Sequence, residues 1–439
     1  MGNVVGFQFL VSGRDTGGVR SGELRYFRCL GVGRELLRAM PSIAEVDSHP
    51  PTNVLLMSGS SWAGVSSRYH LPVQVGVILK PKREAQTPPG TAARGIEETE
   101  MRVEFLSVGG TPLRVSGTQP GEREATLRQM ARLLGESVDR PVSRLEEELL
   151  TLPEGRRRIL LLVGSYEETA YVADTLHTLS ERWRGKVLRL VPDDAETSDT
   201  SPEGDDRHAG ILRRGDVDNL AETAADVLVA PLLAVERGHN ILSRNVSVAA
   251  GSQDKRVAAI GTVYFLIRPN PRPDDIALAI HAVNDWIVRA VDSGQFEKWV
   301  RDEGSIGGAA REVRRLSRSK WYSVLARSLA WTRLRDEDRD SVTWDLLVLM
   351  WQVIGRLVRG DVPARVVFVD AAFVPNLADE RAVSDTRETS LLHSVLHVLR
   401  PYFEVGSDKS EHDRYIVDAL YRPLWLALDR CVRQTLERD

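Results

Sequence analysis

Residues 159 to 165 read Ile-Leu-Leu-Leu-Val-Gly-Ser, and Tyr166 to Ser180 continue with apolar side chains at helical spacing. An apolar run broken by a small flexible pair and followed by an amphipathic helix is one strand, loop and helix unit of an α/β sheet. The same grammar recurs outward from it. Val187 to Val191, Asp226-Val-Leu-Val-Ala230, Gly261 to Ile267 and Val366 to Val369 read as further strands. The prolines of Arg268-Pro-Asn-Pro-Arg-Pro273 forbid continued ladder bonding after the strand they follow. Ile276 to Leu334 is helical in pattern almost throughout, and Asp413 to Arg433 is amphipathic helix in which Pro423 is expected to make a kink or break. Upstream, Gly33 to Met40 reads as a short helix and Asn53-Val-Leu-Leu-Met57 as a buried strand that ends at Ser58-Gly-Ser-Ser61. Met101 to Val115 reads as a strand pair, with helices at Glu122 to Leu134 and Ser143 to Leu150. The expectation is an α/β sheet with helices on its faces and a helical insertion.

With 439 residues, 42% of them hydrophobic, the chain has material for two or three domains. No apolar run is long enough to span a bilayer, so no membrane partner is expected. The first ten residues lack the basic start and cleavage site of a signal peptide, and the only cysteines are Cys29 and Cys431, which together point to a reducing cytoplasmic setting. Fifty-eight basic and 62 acidic side chains leave a net charge of −4. Overall charge therefore gives no attraction to nucleic acid, and any such binding must come from local patches. Lys80 to Glu98 mixes Pro88, Pro89 and Gly90 with many charges and reads as a linker. Pro192 to Asp206 holds seven acidic residues and no basic one, as a solvated loop would.

Chemistry concentrates in a few places. Gln352-Val-Ile-Gly-Arg-Leu-Val-Arg359 follows an apolar helical run, Trp344 to Ile354, and precedes Gly360, a helix C-cap candidate. Gln352, Gly355, Arg356 and Arg359 fall at i, i+3, i+4 and i+7, one face of a helix. Arginine forks suit phosphate oxygens and stabilise the charge that develops in phosphoryl transfer, although a salt-bridged surface helix has the same spacing. After the strand at 226–230 comes Glu236-Arg-Gly-His-Asn240, where Gly238 lets backbone approach a ligand or simply makes a turn. From Arg311 to Arg333 seven basic residues face one acidic, interleaved with Trp321, Tyr322 and Trp331. Arg314, Arg315, Arg318, Lys320 and Trp321 could track a single strand, or the aromatics could be core. His393 and His397 stand at i, i+4 without a third metal ligand nearby, so ordinary packing and no metal site are expected. Asp336, Glu337, Asp338 and Asp340 read as a solvated turn, and Ser58 to Ser61 as either a ligand loop or a helix cap.

Four segments, in order, resemble a DinG-type superfamily 2 helicase, which has two RecA-like domains. Asn53 to Ser61 looks like its motif III, Ile159 to Tyr166 like motif IV, Leu228 to Asn240 like motif V and Gln352 to Arg359 like motif VI. More narrowly, Ser58-Gly-Ser-Ser-Trp62, Val229-Ala-Pro-Leu-Leu233 with Arg237-Gly-His-Asn240, and Arg268-Pro-Asn-Pro look like the helicase encoded beside prokaryotic Piwi-RE proteins in a three-gene defence island. The resemblance covers most of the chain from about residue 30. It implies a RecA-like parallel sheet of the P-loop NTPase type and three parts. Residues 1–83 would be the tail of RecA-like domain 1, 84–100 a flexible linker, and 101–439 RecA-like domain 2, with the acidic loop 192–206 and the helical insertion 276–343. It also implies roles. Arg356 and Arg359 would reach the γ-phosphate, with Gln352, Gly355, Arg237 and Gly238 contacting the nucleotide. Ser165, His239 and Asn240 would join the basic helix in holding nucleic acid, most simply single-stranded DNA.

One departure matters as much as the match. The chain has no Gly-x-x-x-x-Gly-Lys-Ser/Thr loop, since its Gly185-Lys186 pair is followed by Val187, and it has no strand-end acidic pair for magnesium. ATP and Mg2+ are therefore expected only in an assembly that supplies the missing phosphate loop. An iron-sulfur cluster would need ligands the chain lacks. The expected partners are nucleic acid, the missing helicase half and a Piwi-type protein. The alternative is a non-catalytic α/β adaptor derived from a helicase.

Overall fold

Ile159–Val163 is a strand buried along its whole length, and it lies mid-sheet among seven parallel strands. The computed structural model describes residues 3–14, 20–30, 33–79, 96–137, 140–195, 209–236, 240–243, 256–270, 276–326 and 330–436. In chain order its elements are β1 (Asn3–Arg14), β2 (Arg20–Leu30), α1 (Gly33–Ala39), β3 (Glu100–Val103), β4 (Ser107–Val108), β5 (Thr111–Pro112), α2 (Pro120–Gly135) and α3 (Arg144–Thr151). There follow β6 (Ile159–Val163), α4 (Tyr166–Leu179), β7 (Val187–Val191), β8 (Gly210–Arg213), β9 (Val227–Pro231), α5 (Leu232–Val235) and β10 (Thr262–Phe265). The remainder is α6 (Ile276–Asp292), α7 (Gln295–Asp302), α8 (Ile306–Ala326), α9 (Asp336–Leu357), β11 (Arg365–Phe368), α10 (Pro375–Ala378), α11 (Leu391–Phe403) and α12 (Glu411–Leu436).

The sheet runs β3-β11-β10-β6-β9-β7-β8, every neighbouring pair parallel. Apolar strands suit this arrangement because helices cover both faces of a parallel sheet. Ile159, Leu161 and Val163 join a core with Leu127, Met130 and Leu134 of α2 and Val172 and Leu176 of α4. Burying each such side chain contributes about 1.5–3 kcal/mol. From β6 the chain passes through α4 to β7 on one side, whereas β10 leads to β11 on the other. The chain direction thus reverses between the carboxyl ends of β6 and β10, the place where α/β sheets put ligands. Among the described residues no helix is long and apolar enough to cross a membrane.

The chain divides into two compact units, Met1–Val75 with Pro271–Asp345, and Gly76–Asn270 with Leu346–Asp439. The second holds the seven-stranded sheet. In the first, β1 and β2 form an antiparallel hairpin, while Trp62 and Trp344 meet edge to face at 5.9 Å. Gly64, at φ 49°, lies so close under Trp344 that a Cβ there would stand 2.3 Å from its ring.

Several expectations change. Asn53–Met57 is not a strand: residues 51–58 carry no regular structure, and Leu55 and Met57 are 82% and 78% exposed. A strand needs a neighbour for its backbone donors, and none of the named strands pairs with it. Met101 to Val115 divides, its first residues forming the edge strand β3 and the rest the small β4–β5 hairpin. Asp336, Glu337 and Asp338 are the first turn of α9, where carboxylates meet the positive end of the helix dipole, rather than a solvated turn. Asp338 is buried against Arg335 at 2.9 Å. Helix α12 runs through Pro423 unbroken, held by buried Tyr421, Leu424 and Leu428. The proposed linker falls largely on 80–95 and the acidic loop on 196–208, outside the described residues.

Candidate functional site

Helix α9 delivers its arginines through the way it ends. Gly360 has φ 85°, and a Cβ there would stand 2.8 Å from Val257 Cα and 2.9 Å from Arg256 O. Only glycine fits, and its left-handed conformation stops the helix. Arg356 therefore sits in the last helical turn, and Arg359 lies two residues past the final helical residue instead of on the helix face. The turn still keeps the two guanidinium groups as neighbours. Burial first, then the adjacent Arg359 charge, holds the Arg356 guanidinium below its ordinary value, while Asp218 and Glu236 oppose the shift.

Their partners come from the segment after β9. Arg356 Nη2 donates to the Glu236 carbonyl at 2.6 Å, and Arg359 Nη1 donates to Asn240 Oδ1. Asn240 N in turn donates to Asp218 Oδ1 at 2.5 Å. The two guanidinium groups thus stand beside one another, with the Asp218 and Glu236 carboxylates also acting on Arg356, so the corner carries both signs of charge. Gln352 lies one turn before Arg356 and is half-buried. At Gly355 an added Cβ would meet nothing within 4 Å, so the helix surface beside Arg356 is open. Beneath Arg356 is a narrow apolar crevice lined by Leu160, Val235, Ile241, Ile260 and Val353. Arg237, Gly238 and His239 lie outside the described residues.

A third arginine underlies this pair and was not singled out from sequence. Arg156 is buried and donates to four carbonyls: Ala258 at 3.0 Å, Ile260 at 3.2 Å, Leu357 at 2.8 Å and Pro363 at 2.6 Å. Leu357 is the last residue of α9, so a buried cation clamps the negative end of the arginine helix to the start of β10 and the approach to β11. Burial lowers its guanidinium to about 10, which leaves it charged at neutral pH. In Gly155-Arg-Arg-Arg158 nothing distinguishes it from its neighbours, because no carboxylate partner advertises it. Asp218 was missed for a similar reason, being one acid among several.

At the carboxyl ends of the strands the chemistry is structural. Ser165 caps α4, its hydroxyl accepting from Glu168 N at 3.2 Å. Buried Asp370 accepts from Val115 N, Ser116 N, Ser116 Oγ, Arg268 N and Ala372 N at 2.6–3.2 Å. It ties the ends of β10 and β11 to the loop before α2. Ser58 Oγ accepts from Ser60 N and Ser61 N, closing its own turn instead of capping a helix.

The basic helix is α8. Arg314, Arg315 and Arg318 are exposed with Arg311 and Tyr322, whereas Lys320 and Trp321 are half-buried and Trp331 is buried. Arg315 spends its fork on Glu312 at 2.5 and 2.7 Å. The exposed candidates are thus fewer than the sequence count. His393 Nδ1 meets Ser390 Oγ at 2.9 Å and His397 Nε2 meets Arg387 at 2.6 Å, so the two imidazoles serve separate contacts. Among the described residues no cluster of three or more His, Cys, Asp or Glu could hold a metal ion. No protein-family model matches the chain, and no curated protein matches it.

Proposed function

We propose that this chain forms the arginine wall of an ATP cleft in a nucleic-acid helicase of the DinG-type superfamily 2, similar to the helicase of the Piwi-RE defence island. The observation that carries the reading is the convergence of Arg356 and Arg359 with Glu236 and Asn240, residues that resemble motif VI and motif V and lie more than a hundred positions apart. The Arg356 and Arg359 guanidinium groups fit the γ-phosphate of ATP. Gln352 and the open surface at Gly355 would border the nucleotide. ATP with Mg2+ supplies the phosphoryl group and its metal, and the phosphate loop that cradles them comes from polypeptide outside these residues. Asn240, held by Asp218, links the arginines to the segment that would contact the strand. Arg311, Arg314 and Arg318 on α8 supply an exposed basic surface for single-stranded DNA.

The test is reconstitution. The coding sequence upstream of Met1 and the neighbouring genes identify a polypeptide with the phosphate loop, and ATP turnover is measured with that part and single-stranded DNA present. Arg356→Ala and Arg359→Ala should each lower turnover about a thousandfold or more while leaving strand binding in place. Turnover that survives both substitutions removes the arginines from the cleft. Absence of any such polypeptide, with no nucleotide binding by the chain, leaves the adaptor reading instead.

A further inference from the structure

The hairpin β1–β2 carries an apolar face that is exposed among the described residues. Phe7 and Phe9 are 68% and 65% exposed, and Leu24 and Tyr26 are 65% and 59% exposed. The register pairs Phe7 with Tyr26 and Phe9 with Leu24, so all four stand on one side of the ribbon. Phe7 and Tyr26 rings lie 5.4 Å apart at 55°, and the Phe9 ring lies over Gly22, where an added Cβ would come within 2.5 Å of it. Glycine there lets Phe9 lie low and leaves its outer face open.

Charge says what fits this face. Residues 3–14 and 20–30 contain Arg14, Arg20, Arg25 and Arg28 against one acid, Glu23, in a chain whose overall balance is acidic. Phe7 and Phe9 are two residues apart, about 6.8 Å along the strand, so each ring can take a separate base. A protein partner would need only apolar area, whereas exposed aromatic rings at strand spacing within an arginine-rich ribbon match unpaired bases joined by phosphates.

We infer that the β1–β2 hairpin is a stacking platform for single-stranded nucleic acid, with bases on Phe7, Phe9 and Tyr26, in a segment whose excess of arginine suits a phosphate backbone. This surface is separate from the arginine pair and needs no nucleotide.

The test uses the full chain and fluorescent oligothymidylate. Phe7→Ala, Phe9→Ala and Tyr26→Ala should each weaken binding roughly 5- to 150-fold, the range for loss of one base stack. Because these side chains are exposed, circular dichroism should be unchanged. Phe7→Leu and Phe9→Leu keep apolar area but remove the ring, and should weaken binding comparably. Ultraviolet cross-links should map to residues 3–30. The inference is overturned if the parent chain does not bind the oligonucleotide, if the variants bind as the parent does, or if cross-links map only to α8. It is equally overturned if the alanine variants change the sedimenting mass without changing oligonucleotide affinity, since the face then joins protein to protein.

Discussion

At the scale of single residues, buried charges hold the second unit together in two ways. Arg156 serves four backbone carbonyls with one guanidinium. Arg156→Met would leave those acceptors without a donor, and it should cost about 3 kcal/mol or more in urea unfolding, with increased amide exchange around residues 355–361. Arg156→Lys, with a compact ammonium, should recover only part of this. Glu148 is the acidic counterpart. Burial works to raise its carboxyl, but the Thr262 hydroxyl at 2.6 Å, then Arg102 and Arg365, overcome it and hold the group below its ordinary value of 4.5. A carboxyl depressed in the folded state stabilises fully above the unfolded value and loses that contribution as pH falls through the folded one. Between pH 7 and pH 3 the parent should therefore lose more unfolding free energy than Glu148→Gln. An equal loss in both would show that Glu148 contributes nothing to acid sensitivity.

At the scale of elements, the end of α9 decides where the candidate site lies. Gly360→Ala combines a φ of 85° with a backbone collision at Val257, so it should destabilise by more than about 1 kcal/mol and displace Arg359 from Asn240. A chemical-shift or exchange map in which residues 356–361 and 240 stay unaltered would contradict this. Most elements of the sheet were legible, because β6, β7, β9, β10 and β11 are short apolar runs with clear punctuation. The hairpin β1–β2 was not. Its alternation of apolar and polar residues is confined to short stretches, Phe7-Gln8-Phe9 and Glu23-Leu24-Arg25-Tyr26, interrupted by Gly6, Gly13 and Gly22. Asn53–Met57 failed for the opposite reason, since an apolar run specifies a strand only where a sheet edge is present to receive it.

At the scale of the whole molecule, each compact unit buries apolar side chains of its own, Trp62, Val283 and Trp344 among them in the first and those around the parallel sheet in the second. Calorimetry should resolve two unfolding transitions, because separate cores unfold separately. The earlier should belong to the first unit, whose Phe7, Phe9, Leu55 and Met57 remain largely exposed and contribute little burial. Hydrogen exchange that decays uniformly through both units would show a single cooperative body instead.

Local pattern in the sequence was enough for the α/β class, for β6, β7, β9, β10 and β11, for the helical stretch between β10 and β11, and for the glycine that ends the arginine helix. These are local matters of period, polarity and backbone freedom. Tertiary structure alone decided that Arg156 lies under the arginine pair, that Asp218 holds Asn240, and that Asp370 gathers the strand ends. Each depends on segments apart in sequence meeting in the fold, and a one-dimensional pattern does not encode which charge will find which backbone group.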